Sequence, residues 1–131
     1  MIVLDTHVLV WWIAGDARLS RKAASAIRKE LSGGRVSIAA ISAWEIGMLV
    51  AKGRLALGMD VDEWLETVQS IPGVAVLPLT ARVALDSTRL PGTFHGDPAD
   101  RMIVATARAE NSPLATADQR IRAYRHVRTI W

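Results

Sequence analysis

Very short, mostly apolar runs alternate along this chain with longer segments of helical period, and that pattern constrains its fold most. "IVL" (2–4), "RVSIAA" (35–40), "VAVLPL" (74–79), "PLAT" (113–116) and "VRTIW" (127–131) read as strands. Runs with no polar alternation suit strands covered on both faces, as in a parallel sheet with helices on each side. Between them lie the helical segments. "THVLVWWIAG" (6–15) closes at Gly15, and "SRKAASAIRKELSGG" (20–34) opens at Ser20 and stops at Gly33-Gly34. "SAWEIGMLVAKG" (42–53) opens at Ser42. Residues 60–70 place acids in a first turn, 80–90 form a capped helix, and 98–110 follow a Pro91–Pro98 loop. The order implies an α/β domain of three layers around a central, mainly parallel sheet, with residues 1–131 as a single domain.

Composition narrows the class. Of 131 residues, 50% are hydrophobic and 22% charged, which excludes a disordered chain. The absence of cysteine excludes a disulfide framework and thiolate-ligated zinc, and fits the reducing cytoplasm. The apolar start meets Asp5 early and lacks a basic flank, so no signal peptide is expected, and no apolar run has the length of a membrane span. The net charge of +3 rests on arginine more than lysine. "RIRAYRHVR" (120–128) gathers arginines around Tyr124 and His126, a composition compatible with nucleic acid and equally with a solvated end of the fold.

In open parallel sheets, sites gather at the carboxyl ends of strands. Four strand–helix junctions of this chain carry acids: Asp5 after the first strand, Glu45 near the start of the next helix, Asp97 and Asp100 opening the helix at 98, and Asp118 after "PLAT". Each has a plain reading. "SAWE" fits a capping box with Ser42 as cap and Glu45 reaching back. "DPAD" fits an aspartate cap with proline at the first helical position, and Asp97 can pair with Arg101 one turn on. Asp118 can begin a turn. Asp5 fits such readings worst, because an ionised carboxylate among Ile2, Val3, Leu4, Val8 and Leu9 is costly without a cation or good donors. A hard divalent cation held by carboxylate oxygens meets that need. Without one, crowded carboxylates shift their pKa values upward.

"IVLDTHVLVWW", "ISAWEIGMLVAKGRL" (41–55), "GDPADRMIVATA" (96–107) and "LATADQRI" (114–121) together resemble the PIN-domain ribonucleases, and within them the VapC-type toxins of bacterial toxin–antitoxin pairs. The resemblance runs from end to end. It implies an endoribonuclease dependent on Mg²⁺ or Mn²⁺, with Asp5, Glu45, Asp100 and Asp118 as the catalytic, metal-holding acids. Asp97 is implied as a supporting or second-metal ligand. Thr6 and Thr116 correspond to small hydroxyl residues beside the cluster, and Thr6, Thr116 and Arg101 are expected at the substrate. The resemblance further implies a homodimer held inactive by a cognate antitoxin. Trp11 and Trp12 are adjacent on one helix, so either one of them meets a partner or both are buried against different elements.

Other enzyme classes fit poorly. "DTH" lacks the second acid of a haloacid-dehalogenase phosphatase, no late lysine serves a receiver domain, and neither G-x-G-x-x-G nor a P-loop is present. The remaining alternative is a catalytically inactive PIN-like module that binds RNA or protein.

Overall fold

A computed structural model describes residues 1–131. The elements run β1 (Ile2–Leu4), α1 (Thr6–Ala14), α2 (Arg21–Leu31), β2 (Val36–Ala39), α3 (Ala40–Ala51), α4 (Val61–Ser70), β3 (Val74–Leu77), α5 (Ala81–Ser87), α6 (Pro98–Ala109), β4 (Leu114–Ala115), α7 (Gln119–Arg122) and β5 (Thr129–Ile130). All pairings are parallel, in the order β3-β2-β1-β4-β5, so the expected sheet is present and carries no antiparallel strand. Strand side chains alternate between two cores. Val3 and Leu114 face Ile103, Val104, Ile121 and Val83 on the side of α5, α6 and α7. Ile2, Leu4, Val36, Ile38 and Ala115 face Val8, Leu9, Ile27, Ile46 and Trp64 on the side of α1 to α4. A central sheet with a separate core on each face is the three-layer arrangement that the unalternating runs demand.

Several helix starts follow the local chemistry read from the sequence. Ser20, Asp60, Thr80 and Asp97 each cap with a side-chain oxygen that accepts a backbone N–H from two or three residues on. Gly15 ends α1 in the left-handed conformation (φ 65°), which a residue with a Cβ adopts at a cost. The capping box at 42–45 is corrected. The helix α3 begins at Ala40 with Ala39 as a cap that has no side-chain bond. Ser42 is therefore inside the helix and fully buried, and Glu45 stands in its second turn. The single turn of α7 was not anticipated.

Ile103 is 0% exposed in α6, within the core beneath β1 and β4. Ile103→Ala is expected to lose about 2–5 kcal/mol, the sum of lost transfer energy and a residual cavity. The check is chemical denaturation, and an unchanged midpoint would contradict this placement of the core.

Candidate active site

The sheet order places the site. The chain leaves β1 for β2 and β3 on one side, then crosses to lay β4 on the other, so the strand order reverses between β1 and β4. Such a switch point opens a crevice at the carboxyl ends of both strands. Asp5 follows β1 there, with its N–H donating to Ala115 O at 3.0 Å. It is 3% exposed. Its Oδ1 accepts the Thr6 N–H at 2.8 Å, and its Oδ2 accepts the Thr116 hydroxyl at 2.7 Å. Thr116 Oγ1 in turn accepts the Asp118 N–H at 3.0 Å. One buried hydroxyl thus ties together the two acids that follow β1 and β4.

Glu45 enters from α3. Its Oε1 lies 2.6 Å from Thr6 Oγ1, which also lies 2.9 Å from Ser42 Oγ. Thr6 has one proton to give, and the carboxylate takes it, leaving the Ser42 hydroxyl to donate back. Burial pushes the Glu45 carboxyl above its ordinary value, and the charges of Asp5 and Asp97 add to that shift against the lowering Thr6 bond.

Asp100 opens α6, where its N–H donates to the Asp97 cap at 3.0 Å. Its carboxyl is pushed up to about 7, first by burial and then by the charges of Asp5, Asp97, Asp118 and Glu45. Asp118 goes the other way: burial raises it, but the side-chain and backbone bonds of Arg120 prevail and hold it below the carboxylate range. Arg120 NH2 stands 3.3 Å from Asp118 Oδ2 and 3.6 Å from Asp100 Oδ2.

Two imidazoles complete the surroundings. His7 Nε2 accepts the Ala117 N–H at 3.0 Å, and its Nδ1 lies 3.7 Å from Asp5 Oδ2. His95 Nε2 is 3.2 Å from Asp100 Oδ2, and a ligand atom from each of His95, Asp100 and Asp118 falls within 4.8 Å of the others. The acids face a cleft of about 320 Å³ that is also lined by Trp11, Arg18, Arg54 and Leu55.

The structure thus brings Asp5, Glu45, Asp100 and Asp118 to one cleft, with Asp97 at its edge as the α6 cap. Thr6 and Thr116 spend their hydroxyls on the acids. Arg101 is corrected twice. It does not pair with Asp97, and its Nε and NH1 donate to the carbonyls of Ser87, Phe94 and His95 at 2.8–3.1 Å. That binds the 91–98 loop to α6 and leaves those donors unavailable to a substrate. Trp11 and Trp12 are both partly buried: Trp11 meets His7 edge-on and Trp131 at a tilt, while Trp12 packs on the core. Sequence reading missed His95 and Arg120 at the cluster. The only cue to His95 was its place two residues before the Asp97 cap.

Thr116→Val keeps the shape of the side chain but removes its hydroxyl, leaving the Asp118 N–H without its acceptor. A loss of about 1–3 kcal/mol is expected from that group alone, with weaker divalent-ion binding because Asp5 loses an anchor. Titration calorimetry and thermal melting of the variant check both effects.

An acid-lined crevice at the switch point of a parallel α/β sheet is the architecture of a PIN domain, and the chain belongs to that family, whose model matches residues 2–127. It is 39% identical over 132 residues to "Ribonuclease VapC22" of Mycobacterium tuberculosis, covering 99% of this chain and 98% of that one. The fold is shared with VapBC2 from Rickettsia felis bound to a promoter DNA fragment (TM-score 0.71, 18% identity, 98% and 97% of the two chains). It is shared too with a toxin–antitoxin complex from Klebsiella pneumoniae (TM-score 0.67, 20% identity, 97% and 95% coverage).

Proposed function

We propose that this protein is a divalent-metal-dependent endoribonuclease and the toxin of a type II toxin–antitoxin pair. The observation that carries the reading is electrostatic. Four acids converge at one crevice, and their mutual repulsion together with burial lifts Asp100 to about 7. A purely structural cluster gains nothing from that arrangement, whereas a cation relieves it.

The donor set fits such an ion. Carboxylate oxygens suit Mg²⁺ or Mn²⁺, and Asp5, Asp100, Glu45 and Asp118 would hold it, with Asp97 in support. When bound, it supplies charge stabilisation at a scissile phosphate and a more acidic attacking water. The chain's own residues do the rest. Thr116 and Thr6 fix Asp5, Asp118 and Glu45 before substrate arrives, so no reorganisation falls within the reaction. Arg54, which also lines the cleft, offers a phosphate contact, whereas the Arg18 Nε and NH2 are held by Asp16. Arg120, whose charge now faces Asp100 and Asp118, is free to turn to phosphate once those acids are neutralised.

The close relative is named a ribonuclease, and RNA is accordingly the substrate proposed here. A cognate antitoxin that covers this cleft and a homodimeric state complete the reading, drawn from the family resemblance. No helix is long and apolar enough to cross a membrane. With no cysteine in the chain, we place its action in the cytoplasm.

The test is incubation with a mixed pool of structured RNAs in Mg²⁺ or Mn²⁺ and in EDTA. Discrete cuts that require the metal are expected. Cutting that persists in EDTA would refute the metal site. If the pool stays intact and millimolar Mn²⁺ leaves the melting temperature unmoved, the protein is an inactive binding module.

A further inference from the structure

We infer that His95 is a positioning residue: its Nε2–H orients the Asp100 carboxylate, and it does not ligate the metal. The inference rests on the metal-site reading above and assigns the imidazole that stands against Asp100.

The spacing of His95, Asp100 and Asp118 invites the opposite assignment, since all three present atoms within 4.8 Å of one another. The other ring nitrogen decides between them. A histidine that binds a metal through one nitrogen carries its proton on the other, and it donates that proton to a carboxylate, carbonyl or water. Here His95 Nδ1 is met by a donor, the Asp97 N–H, at 3.4 Å. A ring nitrogen facing an N–H must accept, so in the neutral ring the proton sits on Nε2. Metal ligation through Nε2 would set two protons against each other at Nδ1.

Nε2 itself is buried and has no hydrogen-bond partner, although Asp100 Oδ2 is 3.2 Å away. The carboxylate therefore lies off the N–H axis. A turn about Asp100 χ2, a soft torsion, brings Oδ2 onto that axis and leaves Oδ1 for the cation. An unsatisfied buried donor beside an acid is stabilised by this turn.

His7 repeats the design at the other central acid. Its Nε2 is pinned by the Ala117 N–H, and its Nδ1 is turned toward Asp5 Oδ2 at 3.7 Å. In both cases a backbone amide fixes the tautomer and the free N–H faces a metal-holding carboxylate. The pinning amides belong to Asp97 and Ala117, each three residues or fewer from an acid of the site, so acid and imidazole share one local frame.

The experiment has two arms. Long-range ¹H–¹⁵N NMR reads the His95 tautomer in the metal-free protein and with saturating Mg²⁺, and the Nε2–H form is expected in both. Calorimetry then compares Mg²⁺ and Co²⁺ binding in native, His95→Ala and His95→Gln proteins. Removing an orienting group costs metal affinity about 10–100-fold. That loss is expected equally for both ions in His95→Ala, with partial recovery in His95→Gln, whose amide N–H reaches the same position. An imidazole ligand would favour Co²⁺ over Mg²⁺. A switch to the Nδ1–H form on adding Mg²⁺, or a loss confined to Co²⁺, overturns the inference. Should native protein bind neither ion, the metal reading fails by itself. The inference then stands or falls on whether Asp100→Asn perturbs the Nε2–H resonance in the metal-free protein.

Discussion

Asp5→Asn is expected to lower RNA cleavage by roughly 10³-fold or more while the fold survives. The removed charge is the most buried acid in the cleft, and several kcal/mol of charge stabilisation at about 1.4 kcal/mol per decade gives that magnitude. Survival of the fold follows from the partners. An asparagine Oδ1 still accepts the Thr6 N–H, and its amide can donate to Thr116 Oγ1, whose proton is then free to turn elsewhere. Thermal melting should therefore show little change in EDTA, and the rise given to the native protein by Mn²⁺ should vanish. A variant that melts normally, loses the metal response and yet cuts RNA at the native rate would place the chemistry elsewhere.

Asp100→Asn should do something less intuitive: stabilise the metal-free protein, by an amount that grows as pH rises above about 4 and levels off above about 7. The sign follows from the direction of the shift. The Asp100 carboxyl is raised from 3.8 to about 7 in the folded chain. Its contribution to stability is then fully present below about 3.8 and is lost as pH rises through about 7, because the folded state holds a proton that the unfolded state has released. A shift of about three units corresponds to about 4 kcal/mol as an upper bound. Asparagine cannot ionise, so near pH 8 the variant is expected to gain about 2–4 kcal/mol over native protein in EDTA, several degrees in melting temperature for a domain of this size. At pH 4 the two should melt together. Added Mg²⁺ should reverse their order at pH 8. For the same reason, metal affinity of the native protein should fall as pH drops below about 7, since the ion must displace that proton. Equal melting of the two proteins in EDTA at pH 8 would show that the acids do not repel as described.

These outcomes depend on a site whose parts were unequally legible in the sequence. The strands could be read because each is short and mostly apolar and alternates with a helical segment, a pattern that suits a covered parallel sheet. The caps at Ser20, Thr80 and Asp97 could be read because capping is settled within three residues. Glu45 could be listed but not placed. The start of α3 is set by the sheet ending at Ala39 rather than by a side-chain cap, which moves Ser42 and Glu45 one turn inward, toward Thr6. Arg101 was misread for a related reason. An arginine beside an acid in sequence suggests a pair, yet the carbonyls of the 91–98 loop surround it only once that loop has folded back. His95 and Arg120 each touch a nearby acid in sequence, Asp97 and Asp118, but their approach to Asp100 could not be read from spacing. The one-turn α7 is too short for periodicity to register.

The Thr116 hydroxyl reaches Asp5 across 111 positions of sequence. The central strand β1 is made well before its neighbour β4, and with it Thr116 and Asp118. Until that neighbour arrives, Asp5 lacks both the Ala115 carbonyl that holds its backbone and the hydroxyl that holds its carboxylate. A partial chain that lacks β4 therefore cannot assemble the acid cluster.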